Sequence, residues 1–181
     1  MYYHLVKQCT QSLKNLEVCL DKAEQFAQSK TFDVGVLMNA RLAPDMKDFT
    51  YQVQSACDYV KGAAAWLSGQ TPPRHEDNEK TIGELRDRIR KTVVFAESVP
   101  EAQYASAPER RVTMSWMPGK VLTGQDYALQ MTMPNVYFHL SMAYAILRNN
   151  GVDVGKMDFL GSINFILEAP RASSQTAHPK L

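Results

Sequence analysis

The chain predicts an all-α fold: a four-helix bundle with a small β-hairpin between its third and fourth helices. Three observations predict it. Apolar residues recur at steps of three and four along four long stretches, as they do on one face of a helix. The one stretch that alternates with a period of two, Val112–Trp116, is short and is followed by the turn signal Pro118-Gly119. The 181 residues, 45% hydrophobic and 22% charged, suffice for one domain with its own core.

The first helix is expected over Tyr2–Gln28, where Leu5, Cys9, Leu13, Leu16, Leu20, Ala23 and Ala27 share a face and no Pro or Gly interrupts. A loop at Ser29–Asp33 precedes an apolar patch, Val34–Met38. Pro44 suits the first turn of a second helix, where a missing N–H costs nothing. That helix should run to about Leu67, with Phe49, Val53, Ala56, Val60, Ala63 and Leu67 as its apolar stripe. Gly69 ends it, and Pro72-Pro73 prevents its continuation.

After the polar linker Gln70–Asn78, Thr81 followed by Glu84 has the pattern of a capping box. The third helix then buries Ile82, Leu85, Ile89, Val93 and Ala96 and turns Arg86, Asp87, Arg88, Arg90 and Lys91 to solvent. Pro100–Pro108 is a loop. In the hairpin Val112, Met114 and Trp116 share a face and Lys120–Leu122 returns; two strands alone are marginal and need something to pack on. Thr123 is the N-cap of the fourth helix, with Asp126 in its first turn. It should reach about Asn149, with Leu129, Met133, Val136, Leu140, Ala143 and Leu147 inward, a kink at Pro134 and a C-cap at Asn150-Gly151. The bundle domain is placed at residues 1–161. Residues 162–181 are expected to be a mobile C-terminal extension.

Composition excludes several functions. The net charge of +1, from 20 basic against 19 acidic residues, lacks the basic excess that holds nucleic acid. No stretch approaches the roughly 20 apolar residues of a membrane span. The start, Met1-Tyr2-Tyr3-His4-Leu5, does not read as a signal peptide. Three cysteines, an odd number without CxxC spacing, read as buried reduced thiols in a cytoplasmic protein. The final Pro179-Lys180-Leu181 lacks the first residue of the Ser-Lys-Leu peroxisomal address and is read as chance.

Several motifs occur in a fixed order. Asn39-Ala40-Arg41-Leu42-Ala43-Pro44-Asp45-Met46 is followed by Gln52-Val53-Gln54-Ser55-Ala56-Cys57-Asp58, then by Thr123-Gly124-Gln125-Asp126-Tyr127. Pro134-Asn135-Val136-Tyr137-Phe138-His139, Ala143-Tyr144-Ala145-Ile146-Leu147-Arg148-Asn149-Asn150-Gly151 and Gly155-Lys156-Met157-Asp158-Phe159-Leu160-Gly161 complete the set. Together they resemble a branch of the DinB-like bundle superfamily, catalogued as a domain of unknown function (number nineteen ninety-three). The resemblance covers nearly all of the chain up to Gly161. It implies the DinB-like chain path and a homodimer.

The wider superfamily is known for three-histidine metal sites, two of the histidines at HxxxH spacing on the last helix, and some members transfer thiols. Here His139 is followed four residues on by Ala143, and the position matched on the second helix is Gln54. No metal or other cofactor is therefore expected.

His139 is the leading catalytic candidate, as a satisfied core histidine or as a proton carrier. Gln54, Asp58 and Lys61 share one polar face of the second helix. Turned outward, that face is a solvated stripe; turned inward, Asp58 would meet His139 and raise its pKa. Tyr144 is a candidate proton donor to a carbonyl or enolate oxygen. Asp45 and Arg41, at the expected helix start, could hold a ligand, although an acid there is also explained by the helix dipole. Trp66, Tyr127 and Tyr137 are core aromatics or the walls of a pocket for a flat, mostly apolar molecule.

Three functions fit these residues. The first is a module that binds a small hydrophobic or carbonyl-containing molecule. The second is a metal-independent isomerase, lyase or cyclase using His139. The third is a metal-dependent hydrolase or thiol transferase of the DinB-like kind.

Overall fold

The computed structural model describes residues 1–168. The first apolar stripe folds as α1 (Tyr2–Lys30), two residues longer than expected, and buries Cys9, Leu13, Leu16, Leu20 and Ala23. Thr31 closes it in the left-handed conformation, φ 58°. The patch after it forms a single turn, α2 (Gly35–Met38), that seats Leu37 and Met38 in the core.

The second long helix, α3 (Phe49–Ser68), starts five residues later than Pro44. Its N-cap is Asp48, whose carboxylate accepts from the Tyr51 N–H at 2.9 Å. Pro44 and Asp45 therefore lie in an exposed turn before the helix, and Asp45 does not sit at a helix terminus. Gly69, at φ 81°, ends α3 as expected.

Next comes α4 (Ile82–Ser98), with the capping box of Thr81 and Glu84 fully formed. Ile82, Leu85, Ile89, Val93 and Ala96 are all buried. One member of the expected solvated face is not there: Arg88 is 2% exposed.

A 3-10 turn (Glu101–Tyr104) leads to the hairpin of β1 (Arg111–Thr113) and β2 (Val121–Thr123). The register pairs Arg111 with Thr123, Val112 with Leu122 and Thr113 with Val121. Trp116 belongs to the connecting loop rather than to a strand.

The fourth helix is broken into three pieces. Thr123 caps a short turn, α5 (Gly124–Asp126), accepting from the Asp126 N–H at 3.0 Å. A π-helical turn (Tyr127–Thr132) follows, then α6 (Met133–Asn149). Pro134 has no N–H to return to the preceding turn, and the Asn135 amide donates instead to the Met131 carbonyl at 2.7 Å. The wider π turn inserts a residue into the helical phase. Leu129 and Met133, expected inside, are 47% and 36% exposed, while Tyr127, Ala128 and Thr132 take the inward face. Beyond the offset the expected face holds: Val136, Leu140, Ala143 and Leu147 are buried.

The motif near the C-terminus forms α7 (Lys156–Leu160), which packs on α1. Residues 162–168 carry no helix or strand and expose Phe165, Ile166 and Leu167. The rest of the expected extension, with Pro179-Lys180-Leu181, lies outside the described residues.

In the assembled bundle α3 is the central element, packed on α4, α6 and α1. The hairpin and the π turn stand over its outer face. No helix among the described residues is long and apolar enough to cross a membrane.

Candidate functional site

Two cavities lie on either side of α3. The first is a recess of about 230 Å³ between α3, the hairpin loop and the π turn. Tyr51, Ser55, Asp58, Tyr59 and Trp66 reach it from α3, at helical spacings that place them on one face. Met114 and Trp116 come from the hairpin loop, and Tyr127 from the π turn. Gly62 lies on the same face of α3, and its missing side chain makes room. An added Cβ would sit 3.0 Å from the Tyr127 hydroxyl and 3.1 Å from the Trp66 ring. Trp66 and Tyr127 meet edge to face, centroids 5.2 Å apart. Burial pushes the Tyr127 phenol well above its usual range, so it stays protonated.

His139 stands at one end of this wall. Its ring stacks on Tyr59 at 5.7 Å and 18°, and meets Tyr51 edge-on at 6.1 Å. His139 Nδ1 is 2.8 Å from Gln52 Oε1. Gln52 Nε2 donates to the Lys47 carbonyl at 3.1 Å, which leaves the amide oxygen for the histidine. Nδ1 therefore carries the hydrogen, and Nε2 keeps a lone pair. Burial lowers the pKa of His139, so the ring is neutral near pH 7.

Asp58 links the recess to the opposite side of α3. Lys61 Nζ and Arg88 Nη2 both donate to its Oδ1, at 2.8 Å and 2.9 Å. No hydrogen bond to its Oδ2 is present among the described residues. Arg88 also donates to Glu79 at 2.9 Å and to the Glu76 carbonyl at 3.2 Å, and pairs with Asp77 at 2.8 Å. Gln54 completes the set by donating to Glu79 Oε2 at 2.8 Å. Burial alone would raise the Glu79 carboxyl, but the bonds from Arg88 and Gln54 outweigh it and hold the pKa below its usual value. Arg88, Glu76 and Glu79 of this network also line the second cavity, a polar basin of about 400 Å³ between the linker and α4.

The expected site residues thus divide. Asp58, Trp66 and Tyr127 come together in the recess, with His139 behind its tyrosines. The expected meeting of Asp58 with His139 does not form: Asp58 turns to Arg88 and Lys61, and the α3 residue facing His139 is Gln52, not Gln54. Tyr137 packs toward α1, its hydroxyl at Ser12 and Gln8. Tyr144 donates to the Val154 carbonyl at 3.3 Å and packs on Phe159, apart from the recess. Arg41 donates to the Met46 carbonyl at 3.2 Å, and Asp45 is exposed beside it.

Sequence reasoning missed Gln52, Tyr51, Ser55, Tyr59 and the burial of Arg88. Spacing carried a signal for two groups of them. Tyr51, Ser55, Tyr59 and Trp66 recur on one helical face, and Arg88 stands between the apolar positions Leu85 and Ile89.

A three-histidine metal centre does not fit this geometry. His139 faces an amide, Ala143 stands one turn on, and no three His, Cys, Asp or Glu side chains converge among the described residues. The thiols are not nucleophiles either. Burial pushes Cys9 and Cys19 up to about 11 and Cys57 up to about 12, which keeps all three protonated.

A family model described as a domain of unknown function (DUF1993) matches residues 1–160. Among solved structures, the chain is similar to a DinB family member protein from Shewanella denitrificans. The two are 44% identical, the match covers 92% of this chain and 95% of that one, and the TM-score is 0.88. No curated protein matches.

Proposed function

The chain belongs to the DUF1993 family, and on that premise we propose that it is a small-molecule-binding protein whose ligand occupies the recess between α3 and the hairpin. One observation carries this reading. The recess gathers five aromatic side chains and one carboxylate from three separate parts of the chain, and the walls leave a space unfilled. At 230 Å³ it falls below the roughly 300–1,000 Å³ of pockets for drug-sized ligands, so the ligand is small.

Trp66 and Trp116 are the chain's two tryptophans, and both line the recess. Intrinsic fluorescence therefore reports its occupancy. Indole, benzamide and cyclohexanone, titrated in turn, should give a saturable change in emission with at least one of them. A flat response to all three, and to small organic ammonium ions, at millimolar concentration sinks the reading.

A second reading, metal-independent acid–base catalysis, is favoured by the fixed tautomer of His139, whose neutral Nε2 can accept a proton. It predicts that His139→Gln keeps ligand binding but abolishes turnover. We also propose a cytoplasmic homodimer. Its thiols are free and buried, and Phe138 (52% exposed) and Met133 leave apolar surface on the outer side of α6. Sedimentation velocity tests the dimer.

A further inference from the structure

We propose that the recess is a cage for an organic cation, a methylated ammonium group held against its aromatic rings and the free oxygen of Asp58. This rests on the reading of the recess as a binding site and names the chemistry it selects.

The walls supply the first argument. Tyr51, Tyr59, Trp66, Trp116 and Tyr127 turn five π systems toward one small space. Ring faces are electron-rich, and they attract a cation lying within about 6 Å of the centroid. The cavity holds the volume of about eight water molecules, at about 30 Å³ each, which suits a tetramethylammonium or choline head. Tyr51 already serves this way on the rim, where Lys47 Nζ lies 5.1 Å from its centroid.

Charge supplies the second. The ionic cluster that includes Asp58 joins two cations, Lys61 and Arg88, to three carboxylates, Asp58, Asp77 and Glu79. Counted together the cluster carries one net negative charge; both cations lie on Asp58 Oδ1, and Asp58, its side chain 43% exposed, is the member that lines the recess. His139, behind the wall, is neutral, and the cation at the wall is Lys47, over the Tyr51 ring.

The degree of methylation follows from the donor count. A primary ammonium carries three N–H donors and needs an acceptor for each. The recess offers one carboxylate and four hydroxyls, but five of its eight lining side chains are aromatic, so a methylated nitrogen, which presents methyl groups to the rings in place of those donors, fits it better.

The test compares tetramethylammonium chloride, choline chloride and the neutral choline isostere 3,3-dimethylbutan-1-ol at constant ionic strength, read by tryptophan emission. The cations should saturate the signal, and the isostere should bind at least about tenfold more weakly. Asp58→Asn should weaken choline about tenfold and leave the isostere unchanged. Because Asp58 also pairs with Arg88, Trp116→Ala is the second variant. Trp116 is 60% exposed, so the fold should stay intact by circular dichroism, while calorimetry shows choline weakened about fivefold.

Equal binding of cations and isostere overturns the cation assignment and leaves the recess as a binding site. So does a response to indole alone. Silence with every probe, indole included, removes both this assignment and the reading beneath it.

Discussion

The two cavities beside α3 differ in what their walls still lack. The polar basin is the larger: Glu79 is answered by Arg88 and Gln54, and Glu84 by the backbone N–H groups of Lys80 and Thr81, while His75 Nδ1 and Arg88 Nε are buried there without a hydrogen-bond partner among the described residues. The recess is smaller, and its rings and one carboxylate oxygen face an unfilled space. The two differ in the kind of capacity left unused: polar nitrogens in the basin, aromatic rings in the recess. The basin is where the linker is tied to the bundle, and the recess is where we propose that the bundle takes a ligand in.

The sharpest way to break that contrast is Arg88→Met. It leaves Glu79, 8% exposed at its side chain, without its cation, and should cost about 3–5 kcal/mol of unfolding free energy in urea melts. Trp116→Ala, on the recess side, should change stability by less than about 0.5 kcal/mol. If the two variants unfold alike, the division between a structural basin and a functional recess is wrong.

Gly124→Ala comes next. A Cβ there would run into the Ala107 carbonyl oxygen, and backbone cannot step aside as a flexible side chain can. The change should cost about 2 kcal/mol and displace the hairpin and π turn that carry Trp116 and Tyr127, seen as loss of near-ultraviolet dichroism.

A pH series sharpens the basin side. The folded-state pKa of Glu79 is depressed, so its stabilisation is complete above its usual value of 4.5 and is lost as pH falls through the folded value. The melting temperature should fall across that window, and less steeply in Glu79→Gln. His139, also depressed, adds a loss that begins as pH drops below 6.5 and should vanish in His139→Gln. The smallest effect is expected at Lys14 and Glu97, an exposed pair at 2.5 Å. Lys14→Ala should cost less than about 0.5 kcal/mol in the same melts.

Much of the fold was legible. The capping box at Thr81 and Glu84, the stop at Gly69, the cap at Thr123 and the short hairpin are local chemistry, and local chemistry is written in neighbouring residues. Pro134 announced a disturbance, but its form, a π turn that puts Leu129 outside and Tyr127 inside, depends on what the turn packs against. Asp48 displaced Pro44 as the start of α3 because a carboxylate that accepts a backbone N–H outweighs a proline's preset φ.

The candidate site was legible only in parts. Asp58, Trp66 and Tyr127 stood out as residue types, and the recess joins them. Their partners did not stand out, because nothing in the chain says which polar residue of α3 meets which neighbour. Gln52 and Gln54 are the same residue two positions apart, about 200° around the helix. One holds His139 and the other holds Glu79.

The sequence by itself determined the four long helical stretches, the caps at Gly69, Thr81 and Thr123, most of the stripes that form the core, and the family. Each of these follows from a period of 3.6 or from the chemistry of a few adjacent residues. Only the tertiary structure decided that Arg88 is buried among carboxylates, that Asp58 turns away from His139 and that aromatic rings from three segments enclose one space. Periodicity sets the angles between side chains on one helix, whereas the rotation of that helix against its neighbours is settled by packing all of them at once.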